Sequence, residues 1–144
     1  MLRNFIYTNG LQEADVINAK KRGWGVFDHF IIYMGMKFGQ PLFIANDANG
    51  GVKWFNEVEI LVLIKDFEPV KIRKFKGNDR QRHLALGRAK EELGKSYSLT
   101  EFNCEHLANY VQYGVRESSQ VKSWATGVSI AAGLLLVAFI FSND

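Results

Sequence analysis

Period-two apolar patterns fill the first half of this 144-residue chain and helical spacing fills the second, an order that constrains the fold more than any single motif does. The run Phe27-Asp28-His29-Phe30-Ile31-Ile32-Tyr33-Met34 is rich in β-branched and aromatic residues, is closed by Gly35, and predicts a strand. Its alternation sets Phe27, His29, Ile31 and Tyr33 on one face. A shorter strand is expected at Ala14-Asp15-Val16-Ile17, with a loop from Lys20 to Gly25 after it. Another is expected at Leu42-Phe43-Ile44-Ala45, beyond the loop through Gly39-Gln40-Pro41. Asn9-Gly10 and the segment from Asn46 to Gly51 carry turn residues. Val52 to Phe55, Glu59 to Lys65 and Val70 to Phe75 read as further strands of a meander.

Composition changes at Gly77-Asn78-Asp79. Asn78 or Asp79 is suited to cap a helix expected from Arg80 to Leu93, with Ala85, Leu86, Ala89 and Leu93 inward and Gly94 at its end. A second helix is expected from Asn103 to Tyr113, stopped by Gly114. In it Cys104, Leu107, Ala108 and Val111 recur at i, i+3, i+4 and i+7 and form a buried stripe. Strands first and helices after predict an α+β domain whose helices pack on one side of an antiparallel sheet. The length suits one domain, and 47% apolar residues exclude a disordered chain.

A single cysteine excludes an internal disulfide and a multi-cysteine zinc site, and suits a reducing compartment. His29, His83 and His106 show no metal-ligand spacing, so neither a metal nor another cofactor is expected. The net charge of +3 is small. Its densest part, Lys71-Ile72-Arg73-Lys74-Phe75-Lys76 with Arg80, Arg82 and Arg88 beyond, reads as solvated strand and helix faces or as attraction to anionic lipid headgroups. No nucleic-acid-binding motif accompanies it.

From Trp124 to Phe141 there is no charged residue. As a helix this run would span about 27 Å, just under the roughly 30 Å hydrocarbon core of a bilayer. Thr126 and Ser129 near its start do not make the polar face of an amphipathic core helix. The segment therefore reads as a membrane anchor rather than a buried helix. Arg116 and Lys122 precede it and only Asp144 follows, which by the positive-inside rule keeps the domain in the cytoplasm. No apolar run long enough for a signal peptide is seen at the N-terminus. The expected organisation is a domain over 1–121 and a hydrophobic anchor helix over 122–144.

Cys104 stands where the last predicted helix begins, and unpaired N–H groups and the helix dipole favour a thiolate there. A cysteine nucleophile needs a base, and the base a polar partner. His106 is two residues along a helix from Cys104 and on another face. His83 lies beside Arg82 on a polar helix face. His29, on a central strand able to face the helix, is the expected base. Asn46, at the end of the next strand, is the expected orienting residue, with Asp47 as the alternative and a plain turn explaining both equally well. The Cys104 N–H is a candidate oxyanion donor. Tyr33 shares the His29 face and offers a hydroxyl, while Asn103 either caps the helix or shapes the turn that exposes the thiol. Glu105 and His106 are expected to hold local structure.

These residues resemble two boxes of the lecithin:retinol acyltransferase family. Asp28-His29-Phe30-Ile31-Ile32-Tyr33-Met34-Gly35 is similar to its His-x-x-x-Tyr-x-Gly box, and Asn103-Cys104-Glu105-His106-Leu107 to its Asn-Cys-Glu-His-Phe box. Ala14-Asp15-Val16-Ile17 resembles the strand ahead of the histidine, with alanine for a usual glycine. The resemblance covers residues 10 to 121. It implies a circularly permuted papain-like fold of the NlpC type, with His29 as base and Cys104 as nucleophile in an acyl-cysteine mechanism. It further implies a phospholipid or other acyl-ester substrate and, as in small animal members, a C-terminal membrane anchor. Where the family often has a second histidine, this chain has Ile44-Ala45-Asn46.

The leading functional expectation is a membrane-anchored thiol acyltransferase or phospholipase. The alternatives are a cysteine peptidase or amidase of the same fold, and a catalytically silent, membrane-tethered interaction module.

Overall fold

A computed structural model describes residues 2–22 and 28–127. The elements run α1 (Leu2–Thr8), β1 (Val16–Lys21), β2 (His29–Lys37), β3 (Gln40–Asp47), β4 (Gly51–Phe55), α2 (Glu57–Asp66), β5 (Phe67–Arg73), α3 (Asp79–Glu91) and α4 (Cys104–Tyr113). A further helical segment occupies residues 119–127. The strands form one antiparallel sheet in the order β4-β3-β2-β1-β5. The first four strands form a meander, but of the three further meander strands expected only Val52 to Phe55 joins it: Glu59 to Lys65 is helical, and the strand expected over Val70 to Phe75 returns as β5 along the free edge of β1. Phe27 and the loop residues from Gly23 on lie outside the described residues.

The sheet is covered on both faces, not on one as the element order predicts. Phe30, Ile32, Ile44 and Val52 pack with Ala85, Ala89, Leu107, Ala108 and Val111 of α3 and α4. Ile17, Ile31, Phe43 and Ala45 pack with Leu2 and Ile6 of α1 and Ile60 of α2. The unbroken apolar run Phe30-Ile31-Ile32-Tyr33 is the signature of a strand buried on both sides. The α-carbon traces of β2 and β3 slip register between Tyr33 and Met36. Gly35 lies in that irregularity with φ of 91°, where a side chain would collide with Glu13.

The segment from Glu59 to Lys65, expected as a strand, is helix α2. Its start is set by a capping box: the Asn56 side chain accepts from the Glu59 N–H at 3.0 Å and Glu59 Oε2 accepts from the Asn56 N–H at 2.8 Å. That local signal outweighs the β propensity of Val58, Ile60, Val62 and Ile64. Helix α1 has no counterpart in the sequence expectations. It packs through Leu2 and Ile6, one helical turn apart.

Helices α3 and α4 lie close to their predicted limits, capped by Asn78 and Asn103. Gly114 ends α4 in the left-handed region, φ 76°. No helix among the described residues is long and apolar enough to cross a membrane. Most of the run expected as an anchor, residues 128–141, lies outside the described residues.

Candidate active site

Local chemistry explains why α4 begins at Cys104. The Asn103 Oδ1 accepts from the Glu105 N–H at 3.0 Å and the His106 N–H at 3.1 Å, and His106 Nδ1 accepts from the Asn103 N–H at 3.2 Å. Asn103 Nδ2 donates to the Leu99 carbonyl at 2.9 Å. The Asn103 side chain is thus engaged as the helix cap, the first of its two expected roles. His106 is a local structural residue, as expected.

Glu105 is buried and holds the next segment. Its carboxylate accepts from Ser118 Oγ at 2.6 Å, Ser119 Oγ at 2.6 Å and the Gln120 N–H at 3.0 Å. Burial opposes its charge, yet these donors outweigh burial and hold the carboxyl below the usual range. Gln120 Oε1 in turn accepts from the Asp28 N–H at 2.6 Å. No local pattern marks Gln120 in the sequence, and its role was not foreseen.

The Cys104 thiol donates to the Asp28 carbonyl at 3.3 Å. Burial pushes its pKa up to about 12, although the N–H groups of Phe30, Cys104 and Glu105 pull it down. The helix N-terminus therefore does not win: the thiol is neutral at rest. His29 is also neutral, lowered by burial from 6.5 to about 4 against the opposing charge of Asp47. Its Nε2 is buried without a hydrogen-bond partner among the described residues, and its ring packs on Phe67 at 5.2 Å.

The two residues approach the site from different faces of the sheet. Cys104 sits among Phe30 and Ile32, on the α4 face. By alternation His29 belongs with Ile31 and Tyr33, on the α2 face, so it does not face α4 as the sequence reading expected. Both line one cavity of about 1020 Å³ at the end of the sheet. Phe55, Val58, Val62, Leu63, Phe67, Leu99 and Trp124 give that cavity apolar walls; Lys21, Asp47, Lys53 and Tyr97 are among its polar lining.

Asn46 and Asp47 divide in the same way. Asn46 is fully buried on the α4 face, and its Nδ2 donates to the Phe102 carbonyl at 2.6 Å, tying β3 to the loop ahead of Cys104. Among the described residues no hydrogen bond joins Asn46 to the His29 Nε2. Continuing the register from Ile31 and Ala45 sets Asp47 opposite His29. Asp47 pairs with Lys53 at 2.7 Å. Burial opposes its charge, but the Lys53 ammonium and the Asn49 N–H keep its carboxyl below the usual range.

Tyr33 is buried four residues along β2 from His29, against a separate pocket beside Arg3, Ile6 and Tyr7. The phenol at the cavity is Tyr97 instead, raised by burial and by the neighbouring Cys104. Among the described residues no three histidine, cysteine or carboxylate side chains are grouped to hold a metal ion.

No protein-family model matches the chain. Among curated proteins it is similar to phospholipase A and acyltransferase 2 of Homo sapiens, 31% identical over 141 residues, which cover 87% of this chain and 85% of that protein. Phospholipase A and acyltransferase 3 of Homo sapiens is 38% identical over 65 residues, 41% of this chain and 40% of that protein. The Pongo abelii protein of the same name is 39% identical over 66 residues, again 41% of this chain and 40% of the relative.

Proposed function

Because the chain belongs to the phospholipase A and acyltransferase family, we propose that it removes acyl groups from glycerophospholipids as a Cys104 thioester and passes them to water or to an amine or hydroxyl acceptor. The observation that carries this reading is the shared cavity, in which the thiol of Cys104 and the unengaged imidazole of His29 meet apolar walls suited to an acyl chain.

Both groups are neutral at rest, so the reaction runs by general-base catalysis and not from a standing thiolate–imidazolium pair. The thiol turns from the Asp28 carbonyl toward the cavity. His29 takes its proton as the sulfur attacks the ester carbonyl. The oxyanion faces N–H groups at the start of α4, where the helix dipole favours negative charge. Collapse expels the lysophospholipid alkoxide, which receives the proton from His29. The acceptor then gives its proton to His29 and attacks the thioester, and Cys104 recovers its proton on release. Asp47 sets the charge around the imidazole, and the Tyr97 hydroxyl lines the cavity with the thiol. Lys53, paired with Asp47, holds that carboxylate charged.

The same reading includes a permuted papain-like fold of the NlpC type, in which a strand-borne histidine precedes a helix-borne cysteine. Residues 1–121 form the catalytic domain and 122–144 an anchor that keeps it on the cytoplasmic side of a membrane.

The deciding experiment is mass analysis of the intact protein after incubation with phosphatidylcholine. An added acyl mass on Cys104, absent in Cys104→Ala and in His29→Ala, is expected. Phospholipid turnover that persists in Cys104→Ala would refute the mechanism.

A further inference from the structure

Four large apolar side chains stand in solvent around one opening. Val58 is 69% exposed and Val62 57%, one turn apart on α2; Leu99, ahead of α4, is 42% exposed, and Trp124, on the 119–127 helical segment, is 44% exposed. They come from three separate stretches of chain, yet all line the cavity that holds Cys104 and His29. A soluble domain rarely gathers such residues on one contiguous patch without a partner to cover them.

Their placement follows from how α2 is built. Ile60 is its buried anchor, packed with Leu61, Leu63 and Ile64 against the sheet. Val58 and Val62 occupy a second apolar stripe that the sheet does not use. The carboxylate between them, Glu59, is engaged in the Asn56 capping box. Lys21, at the end of β1, and Lys53 line the opening together with the carboxylates Asp28, Asp47, Glu59 and Asp66. Arg22 lies 3.8 Å from Glu68. Trp124 is also the first residue of the uncharged run that ends at Phe141.

We propose that this rim, Val58 and Val62 with Leu99 and Trp124, is a docking face for a lipid bilayer surface, set so that the cavity mouth opens onto the acyl region. The identity of the partner follows from two features together: exposed apolar side chains with a tryptophan at the edge, and an uncharged run leaving from that edge. It rests on the phospholipid reading above and extends it from the substrate molecule to the aggregate that presents it.

The test is hydrogen exchange followed by mass spectrometry on the full chain, with and without phosphatidylcholine vesicles. Vesicles are expected to slow exchange about threefold or more in peptides over 57–66 and 96–103, leaving α3 unchanged. Exchange in α2 that ignores vesicles overturns the proposal. So does protection that grows with protein concentration in the absence of lipid, which would assign the face to a second copy of the chain. In Val58→Lys/Val62→Lys, turnover of vesicle lipid is expected to fall about tenfold further than turnover of a monomeric short-chain phosphatidylcholine. An equal fall in both would overturn it. If α2 is protected by vesicles but no lipid is turned over by the unmutated chain, the catalytic reading fails and the docking face stands.

Discussion

The thiol of Cys104 and the carbonyl of Asp28 are joined at 3.3 Å, so the sulfur at rest is held to the backbone just ahead of His29 and keeps its proton. This parked thiol differs from the free, dipole-activated cysteine that a helix N-terminus suggests. Burial sets the difference, lifting the thiol to about 12. Alkylation by iodoacetamide should therefore be slow at neutral pH and keep accelerating above pH 9. A rate that levels off below pH 8 would show a thiolate already formed.

His29 and Asp47 give a second expectation, for pH dependence. With the imidazole lowered to about 4, His29 is already unprotonated at neutral pH, as the proposed base must be. The acid limb of kcat/KM should fall near pH 4 and leave the range 5 to 8 flat. Stability carries the same signature. The unfolded imidazole binds its proton near 6.5 and the folded one only near 4, so stability falls as pH drops through that window, by up to about 3 kcal/mol. His29→Gln should flatten it in urea titrations. Asp47→Asn removes a charge that raises the imidazole and should move its titration lower still. Asn46→Ala should leave that titration in place and destabilise the fold by about 1–3 kcal/mol, through the unpaired Phe102 carbonyl.

The two tyrosines should separate cleanly. Tyr97 lines the cavity beside Cys104, whereas Tyr33 is buried against α1. Tyr97→Phe is expected to lower kcat about tenfold or more with little change in melting temperature. Tyr33→Phe should leave kcat within about twofold. Steady-state kinetics of both variants, with thermal melts alongside, check the assignment.

Much of this arrangement was legible because it is written locally. Asn103 with His106, and Asn78 with Gln81, mark their helices within four residues, and the stripe Cys104, Leu107, Ala108 and Val111 is buried as its spacing predicts. What stayed hidden depends on contacts between distant segments. The two-sided burial of the sheet decides which face His29 takes, and with it that Asp47 rather than Asn46 shares that face; Tyr33 shares it too but lies four residues along β2, at a separate pocket. Helix α2 was a legible element misread, since the Asn56 and Glu59 pair outweighs its β-branched content. Ala14 is a subtler case. In place of a usual glycine it holds φ at 65° while fully buried. The strain, about 1 kcal/mol or more, is offset in part by about 0.8 kcal/mol from its buried methyl, which explains how the alanine is tolerated.

Glu105 carries the last prediction, because it links the helix of Cys104 to the segment over residues 118–120. Its carboxylate gathers Ser118, Ser119 and the Gln120 N–H, and Gln120 holds the N–H of Asp28, the residue whose carbonyl receives the thiol. An amide at this position must turn its NH2 group toward one of these donors. Glu105→Gln is therefore expected to destabilise the domain by about 1–3 kcal/mol. It should also speed alkylation of Cys104, since freeing the Asp28 N–H from Gln120 loosens the residue whose carbonyl holds the thiol. The sign with pH is fixed by the lowered carboxyl. The advantage of the unmutated protein over Glu105→Gln is full above the ordinary carboxylate range and shrinks as pH falls through the folded pKa. Urea unfolding of both proteins at neutral and acidic pH measures it, and a gap that widens on acidification would contradict the role assigned to the charge.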